Sequence, residues 1–253
     1  MCRLFGLIAN KEVDVKFSML EASNRFKDQG KNNPHGWGIG WYKNGEPRVE
    51  KYRESAFYSS NFDSCVEEVW SGIVIAHVRY ATSGSLSDRN AHPFIYKNWI
   101  FAHNGTISKD RILKLLKEPY KDFTSEPIDS EVYFRFIIQN VDEYKDTING
   151  IKEAVRNVIK DANGANFILS DGLNLYAFRY GRNLYYLVRD PQNPLYATSK
   201  ETRALIESKR LAEEKAVIIA SEKITKDEQW EELKDGELLI VHSNLHFELD
   251  NLL

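Results

Sequence analysis

The feature that most constrains the fold of this chain is a series of short apolar stretches separated by turns that contain glycine and asparagine. Turn signals at residues 43–45, 171–172 and 180–183 join pairs of these stretches, and Gly and Asn tolerate the positive φ that hairpin turns require. We therefore predict antiparallel hairpins at these three places. The apolar patterns predict β-strands at residues 3–9, 37–42, 72–81, 99–103, 166–170, 173–179, 184–188, 216–220 and 237–242.

Helical periodicity is confined to other parts of the chain. It is clearest at residues 129–141 and 147–160, and helices also fit residues 15–26 and 109–116. Strands and helices come in blocks instead of alternating, which disfavours a doubly wound parallel sheet and favours packed antiparallel sheets flanked by helices. With no repeat or linker, we predict one α+β domain over residues 1–253, with the charged, helix-prone residues 200–215 at its surface.

Charge and cysteine content exclude several classes of protein. The 34 Lys and Arg against 37 Asp and Glu give a formal charge of −3, spread along the chain, so nucleic acid is a poor candidate partner. We expect no membrane segment and a cytoplasmic location, because no apolar run approaches the roughly 20 residues of a bilayer span and no secretory signal opens the sequence. Two cysteines without paired Cys/His spacing predict neither a disulfide framework nor a zinc site.

One of the two cysteines occupies position 2, directly after the initiator methionine. Methionine before a small residue is normally trimmed, and Cys2 would then carry a free α-amine beside its thiol. An α-amine has a pKa of about 7.7 to 8.0 and a thiol of about 8.5, so the amine can accept the thiol proton near neutral pH. Cys2 is therefore a candidate nucleophile that supplies its own base, provided that Met1 is removed. Cys65 is assigned no role, and a cysteine at position 2 can also occur by chance.

Residues 76–82 place His77, Arg79 and Thr82 at the end of an apolar strand, where we expect them to face one side. An inward Arg needs an anion, either a substrate carboxylate or a structural salt-bridge partner. A second polar site follows at residues 90–94, where Pro93 keeps His92 extended.

Asn104 and Gly105 follow a third apolar strand. The pair is locally typical of a type I′ turn, but it could instead direct a side-chain NH₂ and a backbone N–H at one developing oxyanion. Asp129 begins the best predicted helix, as its N-cap or as the partner of a substrate ammonium.

These segments together resemble the class II glutamine amidotransferases. The resemblance rests on six segments in the same order and spacing, residues 2–6, 35–41, 77–82, 90–94, 103–105 and 129–131, and continues through residues 166–172, 220–222 and 236–239. It is strongest with the stand-alone subfamily that includes the amidotransferase subunit of a glutathione-degrading complex and the γ-glutamyl hydrolase of ergothioneine synthesis. Tyr80 and Ser83 depart from residues found in some relatives, but neither removes a group that the chemistry requires.

The resemblance implies a four-layer αββα sandwich, the N-terminal-nucleophile hydrolase fold. It implies that Cys2 is the nucleophile, that Asn104 and Gly105 form the oxyanion hole, and that Arg79 and Asp129 hold the substrate α-carboxylate and α-ammonium. Thr82 and His92 match positions that shape the pocket. No metal or organic cofactor is implied.

The expected reaction is hydrolysis of the side-chain amide of glutamine or of a γ-glutamyl amide through a Cys2 thioester. Two arrangements remain open, a glutaminase working with a separate acceptor-domain subunit and a stand-alone γ-glutamyl amidohydrolase. A regulatory domain that binds glutamine without turnover is a third alternative. Another N-terminal-Cys amidase is a fourth, although the pairing of Arg79 with Asp129 favours an amino-acid head group.

Overall fold

Two antiparallel β-sheets pack face to face, and each is covered on its outer surface by helices. The structure is a computed structural model that describes residues 1–81, 84–190 and 214–253. Three apolar layers hold it together, one between the sheets and one under each set of helices. The predicted α+β, four-layer αββα arrangement is confirmed.

The strands are numbered in chain order within the described residues. They are β1 (Arg3–Asp14), β2 (Trp37–Lys43), β3 (Glu46–Tyr52), β4 (Trp70–Val78), β5 (Phe94–Tyr96), β6 (Trp99–Gly105), β7 (Ala165–Ser170), β8 (Leu175–Phe178), β9 (Tyr185–Arg189), β10 (Ala216–Ala220), β11 (Glu231–Glu232), β12 (Glu237–Val241) and β13 (Phe247–Asn251). The first sheet has the order β11-β9-β10-β1-β4-β2-β3, and the second has the order β13-β12-β8-β7-β6-β5.

The α-helices divide between the two outer faces. They are α1 (Phe26–Gln29), α2 (Ser60–Glu68), α3 (Lys109–Leu115), α4 (Asp129–Tyr144) and α5 (Thr147–Val158). Apolar side chains of α1 and α2 belong to the layer on the first sheet, and those of α3, α4 and α5 to the layer on the second.

Strand β1 shows why its sequence is apolar from Leu4 to Ala9. Leu4 and Ile8 point into the layer between the sheets, while Phe5 and Leu7 point into the layer under the first set of helices. Because successive side chains of a strand face opposite ways, a strand buried on both faces needs apolar residues at almost every position. Strand β1 therefore lies in the middle of its sheet, between β4 and β10.

The predicted hairpin at residues 43–45 is confirmed. Lys43 pairs with Glu46 across a two-residue turn, in which Asn44 and Gly45 have φ of 54° and 79°. The predicted hairpin at residues 171–172 also forms, between β7 and β8.

The predicted hairpin at residues 180–183 is wrong, because the two strands that flank it belong to different sheets. Strand β8 pairs with β7 and β12, whereas β9 pairs with β10 and β11. Long-range hydrogen bonds fix the turn in this crossing: Tyr180 N–H donates to Asn166 Oδ1 at 2.8 Å, and Tyr180 O accepts from Ala165 N–H at 2.9 Å.

The continuous helix predicted at residues 15–26 is also wrong. The segment forms one π-helical turn at Phe17–Glu21, and α1 begins separately at Phe26. Asn24 separates them because its N–H donates to Ile224 O at 3.0 Å and its side chain donates to Lys223 O at 2.7 Å. Tertiary hydrogen bonds therefore override the local helical pattern here. Most of the predicted surface element at 200–215 lies outside the described residues.

A buried ion pair braces the end of β9. Arg189 donates from Nε and Nη2 to the two carboxylate oxygens of Glu228, at 3.0 and 2.9 Å, and both side chains are almost fully buried. Thr225 also donates to Glu228. Within the described ranges, no helix is long and apolar enough to cross a membrane.

Candidate active site

Cys2 lies at the end of the sandwich, where the first strand of the chain begins. Arg3 pairs with Val78 at the end of β4, and Cys2 therefore lies next to the segment that leaves β4. Tyr80 N–H donates to Cys2 Sγ at 3.2 Å, and the thiol lies 3.4 Å from Tyr80 O, to which it can donate. The thiol of the candidate nucleophile is thus oriented by main-chain groups, which do not depend on the identity of residue 80.

The surroundings of the thiol affect its pKa in both directions. Burial raises the pKa of Cys2, whereas the Tyr80 main-chain hydrogen bond, the terminal ammonium and Arg79 act to lower it. The net shift is upward, so this thiol is protonated at neutral pH while Met1 is attached. A proton acceptor is therefore needed before the sulfur can attack.

Asn104 reaches Cys2 from the other sheet. Its Nδ2 donates to Cys2 O at 3.0 Å, and its side chain is buried. The type I′ turn considered for Asn104-Gly105 is excluded. Both residues belong to β6 and pair with Asn166 and Ala165 of β7.

Gly105 cannot carry a side chain in this backbone. Its φ is 156°, and a Cβ atom there would lie 1.9 Å from Gly164 O. A contact this short can be relieved only by moving backbone, because the opposing atom is a main-chain oxygen. The site therefore requires Gly at this position for steric reasons, next to the Asn that contacts Cys2.

Arg79 follows β4 immediately, because the predicted strand 72–81 ends at Val78. Its side chain is buried, and Nη1 donates to Ser85 O at 3.1 Å. Its backbone is held on both sides, by His35 N–H donating to Arg79 O and by Arg79 N–H donating to Gly36 O. Burial lowers the pKa of the Arg79 guanidinium, and the charges of Cys2 and Asp129 oppose that shift.

Asp129 is the first residue of α4 rather than its N-cap. Ile128 occupies the cap position without a side-chain hydrogen bond, and Asp129 Oδ2 instead accepts from Ile107 N–H at 3.2 Å. The predicted capping role is therefore wrong. The carboxylate binds the main chain that follows β6 and lines a cavity.

This cavity has a volume of about 370 Å³, and we call it the Asp129 cavity. Gly84, Asn90, Lys109 and Glu126 contribute to its lining. Arg79 Nη2 would lie 3.5 Å from a Cβ atom built on Gly84, so the guanidinium lies close to the part of the lining that Gly84 forms. A buried cation and a carboxylate thus accompany one cavity, as recognition of an amino-acid head group requires.

His92 lies in a buried cluster with His77 and His103. The ring centroids of His77 and His92 are 4.3 Å apart, and His103 Nδ1 lies 2.9 Å from Ser130 Oγ. Among the described residues, no hydrogen-bond partner is present for either ring nitrogen of His92. His92 is thus packed in the interior, and its predicted substrate-binding role stays a prediction.

Burial disfavours the charged form of all three imidazoles. It lowers the pKa of His77 to about 3, takes that of His92 well below its usual value, and lowers that of His103 despite the opposing charge of Asp129. The cluster is therefore neutral at pH 7.

Thr82 lies outside the described residues, so its predicted place in the pocket stays a prediction. Cys65, which was assigned no role, is buried in α2, and burial raises the pKa of its thiol. In the described parts of the chain, no group of three or more His, Cys, Asp or Glu side chains could hold a metal ion.

The sequence did not assign roles to two further groups near the N-terminus. Arg3 forms an ion pair with Glu222 and donates from Nη1 to the carbonyls of Met1 and Cys2, at 2.6 and 3.2 Å. Ser221 accepts from Leu4 N–H at 3.0 Å, so the segment after β10 clamps the start of β1. The sequence signal was present, because Arg3 and residues 220–222 belong to the segments that carry the resemblance.

Lys51 is a third group without a predicted role. Its Nζ donates to Arg89 O at 3.0 Å and to Ala91 O at 2.8 Å, which fixes the loop that leads to His92. Burial lowers the pKa of this amine to about 8, although the charge of Glu131 opposes the shift. A lysine in a half-exposed edge strand gives no sequence signal of this contact.

Comparison with known proteins bears on this site. Residues 1–249 match the sequence profile of the class-II glutamine amidotransferases. The chain is 32% identical to an uncharacterised protein of Methanocaldococcus jannaschii over 95% of its own length and 69% of that protein. It is 31% identical to a candidate glutamine amidotransferase of Haemophilus influenzae, over 93% of the chain and 82% of the relative.

A solved structure shares the fold. The glutamine aminotransferase class-II domain protein of Silicibacter pomeroyi superposes with a TM-score of 0.68 at 18% identity, covering 99% of each chain. The profile match extends over nearly the whole sequence, from Cys2 to beyond β12. The chain therefore belongs to the class II glutamine amidotransferases.

Proposed function

We propose that this chain hydrolyses the side-chain amide of glutamine or of a γ-glutamyl compound through a thioester on Cys2. The observation that carries the proposal is the convergence of both sheets on one residue, Cys2. Tyr80 main chain orients Sγ from one sheet, and Asn104 contacts Cys2 from the other at 3.0 Å. The Asp129 cavity beside them has the charges that a glutamyl head group needs.

The glutamyl part of the substrate would occupy the Asp129 cavity. The guanidinium of Arg79 binds the α-carboxylate, and the carboxylate of Asp129 binds the α-ammonium. A buried guanidinium suits this task because charge-assisted hydrogen bonds to a carboxylate are stronger than neutral ones. The side-chain carbonyl then points to Cys2.

The chemical steps need only groups of this chain, substrate and water. The α-amine of processed Cys2 accepts the thiol proton, and Sγ attacks the amide carbon while Asn104 and Gly105 stabilise the oxyanion. The C–N bond breaks as the α-ammonium returns that proton to the leaving nitrogen, which departs as ammonia or an amine. Water then adds to the thioester carbon, giving its proton to the α-amine, and the C–S bond breaks to release glutamate and the thiol.

The test compares one polypeptide before and after exposure of Cys2. The chain is made with a removable N-terminal extension whose cleavage leaves Cys2 as the first residue, and glutamate release from glutamine is measured with both forms. We expect turnover only after cleavage. Equal turnover by the uncleaved form would exclude the α-amine as the base. A glutamine-like diazo-ketone should add one mass increment at Cys2, in the unchanged chain and in C65A alike.

The same assay separates turnover from binding. A chain that binds glutamine but releases no glutamate from glutamine or from any γ-glutamyl amide would be a binding domain. If free glutamine is the preferred substrate, a separate acceptor subunit should bind the chain and receive the ammonia. Glutamate release that rises on addition of such a subunit would support that arrangement.

A further inference from the structure

A second cavity lies beside the N-terminus, and nothing in the preceding mechanism uses it. Its volume is about 230 Å³, and its lining includes Met1, Arg3, Asn104, Arg182 and Glu222. We call it the Arg182 cavity. A water molecule occupies about 30 Å³ in the liquid, so this space is much larger than a departing ammonia molecule requires.

The Asp129 cavity is lined by Thr106 and Ile107, which directly follow Gly105, whereas the Arg182 cavity is lined by Asn104; the two cavities share no lining residue. Asn104, which lines the Arg182 cavity, donates to the carbonyl of Cys2. Met1, which also lines it, is joined to the nitrogen of Cys2 that becomes the α-amine on processing. The Arg182 cavity therefore lies beside the residue whose removal exposes the α-amine.

The leaving group must depart on the side of that amine. The α-ammonium protonates the leaving nitrogen, so the two nitrogens have to come within hydrogen-bond distance in the transition state. With the glutamyl part in the Asp129 cavity, the rest of the substrate extends into the Arg182 cavity. This step rests on the function proposed above.

The charges in the Arg182 cavity indicate what it binds. Arg3 is neutralised by its ion pair with Glu222. In the part of the chain that the structure describes, the hydrogen-bond acceptors of Arg182 are uncharged oxygens: Gly181 O at 2.7 Å, Asn163 O at 3.0 Å and Asn163 Oδ1 at 2.9 Å. Its side chain is only partly exposed, and its positive charge is left for an anion.

Arg182 is also fixed in place relative to the catalytic groups. Asn166 Nδ2 donates to Arg182 O at 3.0 Å, and Asn166 pairs directly with Asn104 in the ladder between β6 and β7. The turn that crosses between the sheets thus holds the guanidinium at a set distance from the oxyanion donor. A side chain positioned in this way can select substrates by the place of their negative charge.

We propose that the Arg182 cavity is a leaving-group subsite, and that the preferred substrates are γ-glutamyl amides whose leaving amine carries a carboxylate bound by Arg182. Amino acids and short peptides joined through their α-amine to the γ-carboxyl of glutamate have this chemistry. The product that leaves through the cavity is then an amino acid or a peptide instead of ammonia.

The experiment uses the processed chain and two substrates that differ only in the charge of the leaving group. These are γ-glutamylglycine and its neutral analogue γ-glutamylglycinamide, with glutamine as the reference. A hydrogen bond to a charged group is worth about 1.5–3 kcal/mol, so kcat/KM should be about 10-fold to 100-fold higher for γ-glutamylglycine than for the amide. Both substrates share the glutamyl part, so a general loss of activity lowers both kcat/KM values and leaves their ratio unchanged.

Variants assign the preference to one residue. R182M should bring the ratio close to one, and R182K should keep part of the preference. R156M, which removes an exposed arginine from α5, is the matched control and should leave the ratio unchanged.

A ratio near one in the unchanged chain, or a preference that survives in R182M, overturns the subsite. Glutamate release from glutamine but from neither larger amide also overturns it, and leaves the proposed hydrolysis intact. Release from none of the three compounds contradicts the proposed function itself, and the subsite with it.

Discussion

Lowering the pH from 7.5 to 5.5 should remove about 3–4 kcal/mol from the free energy of unfolding, because three buried histidines resist protonation in the fold. His77, His92 and His103 are 0%, 4% and 1% exposed, and burial lowers the pKa of each. In the unfolded chain each imidazole titrates near pH 6.5 and binds a proton as the pH falls. The unfolded state therefore binds more protons than the folded state, and stability falls with pH.

The magnitude follows from linkage. For one histidine that ionises only when unfolded, the change between pH 7.5 and 5.5 is about 1.4 kcal/mol. His77 and His92, whose pKa values lie far below the usual range, therefore give about 3 kcal/mol, and the lowered pKa of His103 adds up to about 1.4 kcal/mol more. Domains are typically stable by about 5–15 kcal/mol, so the loss is a large fraction of the total. Because the pKa of His77 is about 3 in the fold, its contribution continues to grow well below pH 5.5.

Urea unfolding at pH 7.5, 6.5 and 5.5, followed by tryptophan fluorescence, measures this dependence. H92N should reduce the loss by about 1.4 kcal/mol, whatever its effect on stability at pH 7.5. H246N, at an exposed position, is the control and should keep the full loss. An unchanged loss in H92N, or a total loss below about 2 kcal/mol in the original chain, would refute the reasoning that the cluster is held neutral.

Three other predictions concern single side chains. G105A should destabilise the fold by more than about 3 kcal/mol and abolish turnover, because its Cβ would meet the main chain. G45A shares a positive φ, 79°, but its Cβ would meet no atom within 4 Å, so it should cost only the conformational strain of about 1–2 kcal/mol. Urea midpoints compare the two, and equal costs would contradict the steric argument. R79K should lower kcat/KM for glutamine about 10-fold to 100-fold, because an ammonium cannot reproduce a forked contact, and an unchanged value would remove Arg79 from the binding site. E228Q should lower the free energy of unfolding by about 3–5 kcal/mol, because it leaves the buried cation Arg189 without its carboxylate. E143Q, in an exposed ion pair, is the control and should change it by less than about 1 kcal/mol. Thermal unfolding measures both.

Local signals predicted those parts of the fold that local forces determine. The Asn44-Gly45 turn was predictable because two residues with positive φ suffice to connect adjacent strands. The turn at 180–183 has similar residues but crosses between sheets, and what directs it is a hydrogen bond to the distant Asn166. The spacing of residues in the sequence does not predict that hydrogen bond.

Elements of mixed character were missed for a related reason. Strand β3 is an edge strand with partly exposed residues on both faces, so its sequence shows no apolar alternation. Helix α2 contributes only Phe62, Cys65 and Val66 to the core, which is a weak periodic signal over nine residues. In both cases burial is too limited to leave a readable pattern.

The candidate site also contains residues that the sequence predicted and a residue that only the tertiary structure reveals. Cys2, Arg79, Asn104 and Asp129 were predicted from residue types and motif order. In the structure Asn104 donates to the carbonyl of Cys2, the charges of Arg79 and Cys2 interact, and Asp129 lines the Asp129 cavity. Arg182 could not be predicted, because its relation to Cys2 depends on the packing of one sheet on the other.

The hydrogen bond between Asn104 and Cys2 joins the two sheets. The apolar layer between the sheets therefore determines the distance between these two residues. Ile168 illustrates the fit: its side chain would lie 3.1 Å from a Cβ built on Gly6, which leaves no slack between the sheets at that point. A displacement of about 1 Å between reacting groups can slow an enzyme about 100-fold. A substitution among the side chains between the sheets can therefore change the distance between Asn104 and Cys2, and with it the reaction rate, without contacting the substrate.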